Sequence, residues 1–234
     1  MPDIPDRPQK EETLETVLRQ AFGSTRQRII QELGAPPTLA NVSDSTWDQL
    51  RQTVAEDSKR AIIVVFLLGM RRIATEQHFM TNAEVAGRRA AEYAEARSRR
   101  LADGMVRTFQ DRFRGHVQEA KRRLDGGATM AEVEADLKRA AEEIAAEQAR
   151  NGGVTETTDA NSAGEMDWKD IYEGETGVAL VAVWNAEPDA CEVCLPLDGQ
   201  PEEVWREEFP RGPTAHPRCR CWLTFVPAEE FAEL

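Results

Sequence analysis

All four cysteines of the chain lie between Cys191 and Cys221, with His216 among them. Two residues separate Cys191 from Cys194, so one turn of backbone can aim both thiolates at a single tetrahedral ion. His216-Pro-Arg-Cys219 repeats that spacing. Cys219 and Cys221 flank one arginine and point the same way if the backbone is extended, so both could ligate. Alternatively, His216 and Cys219 ligate and Cys221 packs beneath them. The expectation is zinc held by Cys191, Cys194, Cys219 and either His216 or Cys221. Two disulfides, or buried free thiols, are the competing assignments. With no secretory signal ahead of it, so tight a cluster reads as a metal site.

A structural ion is expected rather than a catalytic one, because a catalytic zinc keeps one position open for water and has a general base nearby. The zinc-deaminase pattern needs H-x-E upstream of P-C-x-x-C. Pro188-Asp-Ala-Cys191-Glu-Val-Cys194 echoes only its second half, and neither His78 nor His116 begins an H-x-E. Those two histidines read as surface or satisfied core residues. No Ser-His-Asp spacing, Walker A loop or G-x-G-x-x-G is present, and Gly164 and Gly174 belong to no phosphate-cradling motif. Glu156, as a buried helix cap or an exposed acid, carries no catalytic argument alone. No enzyme is expected.

The elements that must position the cluster follow from composition and periodicity. At 234 residues the chain has room for one large or two modest domains. Its 41% hydrophobic and 30% charged residues are ordinary for a globular protein. A net charge of −13 excludes a general nucleic-acid coat. Residues 84–131 nonetheless hold 11 basic against 7 acidic side chains, and everything beyond is acidic. The longest apolar run, Ile62–Met70, is half of a bilayer span, and the first twelve residues hold no apolar signal core. No membrane association is expected, and synthesis is assigned to the cytoplasm.

Ahead of the cysteines the chain is punctuated as a series of helices. Residues 1–10 read as a disordered tail. Leu14, Val17 and Leu18 begin a short helix, Ser24 with Gln27 restarts it, and Gly34 with Pro36 and Pro37 ends it. Ser45 with Asp48 opens a helix reaching about Phe79, whose stretch Ile62–Met70 is apolar all round. That stretch is either a central helix buried on every side or a face that docks another subunit. Thr81 with Glu84 opens a long helix with the stripe Tyr93, Leu101, Met105, Phe109, Phe113, Val117, Ala120 and Leu124, stopped by Gly126-Gly127. Thr129 with Glu132 opens the next, with Asn151-Gly152-Gly153 as its stop. The arginines from Arg88 to Arg123 form a polar face, either solvated and paired with the acidic helix that follows or contacting DNA or an acidic partner. After Gly153, Thr155–Gly164 reads as a flexible polar stretch and Trp168–Tyr172 as a helical turn. Gly177–Trp184 and Cys219–Val226 read as strands. The fold class is mainly α, α+β: an elongated helical part over 11–150, then a small zinc-stabilised α+β module over 154–227 with a short hairpin or sheet, and a tail over 228–234.

In order, Cys191-x-x-Cys194, Leu197-Asp198-Gly199, then Pro213 and His216-Pro217-x-Cys219-Arg220-Cys221, this segment resembles the C-terminal domain of the phage Mu F-like minor head proteins, also called phage head morphogenesis proteins. Thr155-Glu156-Thr157 with Asn161 is similar to that family's R-T-E-x element, with Val154 where the arginine is expected. The strand Val178–Trp184 is similar to the one before the first cysteine. The resemblance covers about residues 140–227. It implies a structural protein made in a bacterial host, associated with the portal and the capsid interior, and assisting head assembly or DNA passage. The implied partners are the portal protein and the major capsid or scaffolding protein, with an oligomer around the portal and localisation in the virion. Some members carry toxin or enzyme domains after this region, and none is expected here. The alternatives are a nucleic-acid-binding zinc module, with DNA contact through the basic helix, or a zinc-dependent hydrolase.

Overall fold

A computed structural model describes Ile4 and residues 6–232 of the chain. Four long helices dominate: α1 (Arg7–Glu32), α2 (Asp44–Glu76), α3 (Ala83–Asp125) and α4 (Met130–Thr176). A two-stranded antiparallel sheet follows, β1 (Leu180–Asn185) with β2 (Trp222–Pro227), accompanied by the four-residue helices α5 (Glu202–Trp205) and α6 (Ala228–Phe231). The chain is thus a mainly α, α+β protein. Its contacts divide into two compact units, each taking one stretch from every long helix.

The all-helical unit comprises Glu15–Lys59 and Glu95–Arg150. Its core is the stripe read from α3, with Met105, Phe109, Phe113, Val117 and Ala120 buried against Leu18, Phe22, Trp47, Leu50, Val133, Leu137 and Ile144. Phe109 stacks within 5.4 Å of Phe22 and 5.3 Å of Phe113. The capping box expected at α4 is formed: the Thr129 N–H donates to the Glu132 carboxylate at 2.9 Å and the Glu132 N–H to Thr129 Oγ1 at 3.3 Å. The basic face of α3 is paired with the acidic helix that follows, through Arg112 with Glu147 at 2.7 Å and Arg123 with Asp136.

Three expected helix boundaries shift, each because another group serves the helix end better. α1 runs unbroken past Ser24, whose hydroxyl bonds back to the Ala21 carbonyl at 2.8 Å rather than opening a new helix. α2 starts at Asp44, one residue ahead of Ser45, because Glu32 accepts from the Ser43 N–H at 2.8 Å and from the Thr46 hydroxyl at 2.7 Å. α3 is opened by Asn82 rather than Thr81, its Oδ1 accepting from the Glu84 N–H at 2.8 Å.

The second unit comprises the described residues through Leu14, Arg60–Ala94 and those from Asn151 on. Residues 7–10, assigned to a disordered tail, instead begin α1, and Arg7 is only 4% exposed. The rest of that assigned tail, except Ile4 and Asp6, lies outside the described residues. The tail assigned to 228–234 holds α6, with residues 233–234 outside the description.

The largest correction concerns Asn151-Gly152-Gly153, which does not stop α4. The helix continues through Thr155–Gly164 and Trp168–Tyr172 to Thr176, so neither a flexible stretch nor an isolated turn exists there. Two interior glycines cost about 1 kcal/mol each, and burial outweighs that. From Gly153 to Met166 every residue but Thr155 is buried. Thr155 and Thr157 also bond back to the Asn151 and Gly153 carbonyls, both at 2.8 Å.

α2 supplies the opposite face of this contact. Ile62, Val65, Phe66 and Met70 are buried, Ile63, Leu67 and Leu68 half-buried and Val64 exposed, so most of the apolar run packs into the chain's own core. The two helices touch backbone to backbone. A Cβ on Gly69 would lie 2.2 Å from the Asn161 carbonyl oxygen, and one on Gly164 would lie 2.1 Å from that of Phe66.

β1 pairs with β2 from Leu180↔Pro227 to Asn185↔Trp222. Gly177 is excluded from β1 because it closes α4 in the left-handed region at φ +73°. Cys219–Cys221 precede β2 rather than opening it. The fully buried Trp168, Trp184 and Trp205 fill the space around the sheet.

Two tests follow. Gly69→Ala and Gly164→Ala should each destabilise by about 3 kcal/mol or more in urea titrations, since two backbones must separate. Gly115→Ala, on α3 with nothing within 4 Å, should stabilise by about 1 kcal/mol. The Ser43 N–H, with the hydroxyl of Thr46 and Arg28, holds the Glu32 carboxyl at about 2, below its ordinary 4.5. Its stabilisation should therefore be complete above pH 4.5 and fade as pH falls toward 2, and Glu32→Gln should flatten that part of the stability profile.

Candidate metal centre

The Cys191–Cys194 turn is tightened by N–H groups of Cys194 and Leu195, which donate to the Cys191 carbonyl at 3.1 and 2.9 Å. A 3₁₀ turn over Leu195–Leu197 and the left-handed Gly199 at φ +73° then return the chain to β1, where Gly199 N–H meets the Trp184 carbonyl at 2.8 Å. Across from it, the His216–Cys221 loop turns through Arg218 at φ +65° before entering β2.

These two loops bring all five predicted residues together. The ligating atoms of Cys191, Cys194 and His216 lie within 4.8 Å of one another, and so do those of Cys194, Cys219 and Cys221. Cys194 is common to both groups, so every other donor lies within 4.8 Å of its sulfur. The Cys194 and Cys219 sulfurs are 3.8 Å apart. A tetrahedral ion with bonds of about 2.3 Å spaces its sulfurs at about 3.8 Å, so this edge already has the required length. All four cysteines are free thiols, and no disulfide joins them. Cys221 does not merely pack beneath the site, because its sulfur belongs to the cluster.

Cys194, Cys219 and Cys221 are buried, Cys191 and His216 half-buried. Burial, and then the charge of Cys221, push the Cys194 thiol up to about 12. Cys219 is also pushed up, first by its hydrogen bond to Cys221 and then by burial. Cys221 is pulled down to about 6, because the Cys219 thiol, the Glu187 N–H, the Cys194 thiol and the Trp184 indole all favour its thiolate against burial. Cys191 is lowered, chiefly by the Cys194 N–H. The cluster therefore stabilises one anionic sulfur and resists the next, and a cation is what permits further deprotonation.

Two neighbours fit a metal-bound state. His216 Nδ1 lies 2.8 Å from the Pro217 carbonyl, which can only accept, so the proton sits on Nδ1 and Nε2 is left for an ion. The Trp184 Nε1–H is buried with no hydrogen-bond partner among the described residues, and a thiolate at Cys221 is the acceptor it lacks. Soft sulfur with imidazole suits zinc-like or softer ions rather than magnesium or calcium.

His78 and His116 are not brought to this site; His116 belongs to the all-helical unit. Glu156 is buried within α4 rather than capping it or facing solvent. The spacing gave no sign of the residues behind the loops, Arg7, Glu11, Thr155 and Thr158; of these only Thr155 lies within a motif noted in the sequence. No helix among the described residues is long and apolar enough to cross a membrane. Compared with protein-family models, with curated proteins and with solved structures, the chain matches none.

Because Cys194 belongs to both donor groups, Cys194→Ala should abolish metal binding, whereas His216→Ala should weaken it less. Metal content by plasma mass spectrometry, with cobalt(II) charge-transfer absorption as the readout of thiolate ligation, checks the ranking.

Proposed function

We propose that the chain is a minor head or head morphogenesis protein of a tailed phage or prophage, whose cysteine-bearing unit is closed by one structural zinc ion. The observation that carries this reading is the convergence of Cys191-x-x-Cys194 with His216-Pro-x-Cys219-x-Cys221 on one centre. In this reading the two halves of the motif that resembles Mu F-like proteins act as one site. Cys191, Cys194, Cys219 and Cys221 are the ligands of this reading, with His216, which shares a donor group with Cys191 and Cys194, as the alternative ligand. Four sulfur ligands leave no position for a reacting water, so the ion's work is to hold the fold. The protein binds and positions: its partners are the portal and the surrounding capsid or scaffolding protein, its place is the capsid interior or portal, and its service is to head assembly or DNA passage.

Charge disfavours the nucleic-acid reading. Residues 154–234 hold 18 acidic and 5 basic side chains, so the entire net charge of −13 falls in that stretch. Phosphates are repelled there, and arginines of α3 are engaged by Glu95, Asp111, Glu119, Asp136, Glu147 and Asp167.

Quantitative mass spectrometry of phage-like particles from the producing host tests the role. A few copies per portal ring are expected. Absence from both immature and mature particles would remove the head-protein reading while leaving the metal centre intact. Independently, a strong chelator should lower the melting transition, with the loss concentrated in amides of residues 180–227 by hydrogen exchange. An unchanged transition after complete metal removal would refute a structural role for the ion.

A further inference from the structure

The loop that carries Cys219 and Cys221 is gripped from two places distant in sequence. Thr158 Oγ1 donates to the Cys219 carbonyl at 2.6 Å and accepts from Arg7 Nη1 at 3.0 Å. Arg7 Nη2 donates to the next carbonyl, that of Arg220, at 3.2 Å. One turn further along α1, Glu11 receives the Arg220 guanidinium through both oxygens, at 3.1 and 2.6 Å. On the other side of the loop, the Arg218 N–H donates to Thr155 Oγ1 at 2.9 Å, at the residue whose φ of +65° lies in the left-handed region. Thr158 and Arg7 are themselves buried.

This pattern does more than fill space. Residues 218–221 have no helix or ladder to fix them, yet two of their side chains must present sulfur to one point. The hydrogen bonds hold the loop by its backbone on one side while the cysteine side chains leave it toward the cluster. An ion would hold the same segment through the sulfurs of Cys219 and Cys221. Each constraint removes conformational freedom that the other would otherwise have to remove, so each makes the other more favourable.

We propose that Arg7 and Thr158 are positioning residues of the metal centre, and that ion binding is coupled to the docking of the first turns of α1. The proposal rests on the metal reading above and adds a partner to the site that lies more than 150 residues before Thr158 and more than 200 before Arg220 in sequence. Residues 7–14 are then a reporter of metal occupancy, although none of them ligates.

The test uses the full chain and zinc(II), with affinity measured by competition against a chromophoric chelator well below the melting transition. Thr158→Val and Arg7→Gln should each weaken zinc binding about ten-fold or more, the range expected when an outer support of a ligand is removed. Arg112→Gln, which loses an exposed ion pair of the other unit, should change it less than about two-fold. Reciprocally, amide exchange of residues 7–14 should slow when zinc is added to the wild-type chain, and respond much less in Thr158→Val. Unchanged affinity in folded Thr158→Val and Arg7→Gln, or exchange at 7–14 indifferent to zinc, would overturn the coupling alone. Failure of the wild-type chain to bind zinc would overturn the metal reading and the coupling together. If Thr158→Val does not fold, Arg7→Gln and the wild-type exchange comparison decide the matter.

Discussion

A helix buried on all sides must either be apolar or find a partner for every polar group it carries, because an unpaired buried group costs on the order of 1–3 kcal/mol. The segment Gly153–Met166 of α4 takes the second course for most of its groups, leaving Asn161 Oδ1, Ser162 Oγ and Glu165 Oε2 without a hydrogen-bond partner among the described residues. It buries Glu156, Thr157, Thr158, Asp159, Asn161, Ser162 and Glu165, and much of the cysteine-bearing unit is arranged to answer them. Arg72 reaches from α2 to Glu165 at 2.9 Å and on to the Leu223 carbonyl of β2 at 2.9 Å. Asp159 gathers the Tyr93 hydroxyl at 2.5 Å, the Thr214 hydroxyl at 3.2 Å and Arg211 at 3.7 Å. Thr158 takes Arg7 and the Cys219 carbonyl of the cysteine loop. Helix, sheet, loops and first turn are thus fastened to one polar axis. Burial raises the Glu165 carboxyl above the usual carboxylate range against the pull of Arg72.

This axis also explains where sequence reading succeeded and where it did not. The apolar stripe of α3, the capping box at Thr129 and the stop at Gly126-Gly127 were legible because each is a local signal, written in residues three or four apart. The cysteine cluster was legible because ligand spacing is chemistry, largely independent of the fold around it. Thr155–Gly164 was misread as a loop because its composition is that of a solvated segment. The partners that make it a helix, Arg7, Arg72, Tyr93 and Arg211, are scattered over the chain and have no periodic relation to it. Arg7 was lost for the same reason: a charged, proline-rich N-terminus looks like a tail until its one buried guanidinium is seen between Thr158 and Arg220.

The glycines at 69 and 164 complete the logic. Polar side chains such as Asn161 and Glu165 are short of reach compared with a lysine or an arginine. Glu165 meets Arg72 of α2 and Asn161 donates to Glu165, across a contact where glycine at both points lets the backbones approach closely. Close approach in turn removes room for water, so the polar groups depend on one another. Apolar packing is supplied beside them by Phe66, Met70, Trp168 and Ala163.

The same reasoning reaches the metal centre. A pair of six-residue strands is not stable by itself in water, and here it leans on α4 through Trp168 and on the loops through Trp184 and Trp205. Cys194, Cys219 and Cys221 lie within that apolar packing, beside Leu223 and Phe225. As thiols they are acceptable there. As thiolates they are buried charges, and burial first, then the charge of Cys221, push Cys194 up to about 12. A cation would reverse the sign of that effect by turning mutually repelling sulfurs into ligands of one point. An ion held there would couple closure of the two loops to its own binding.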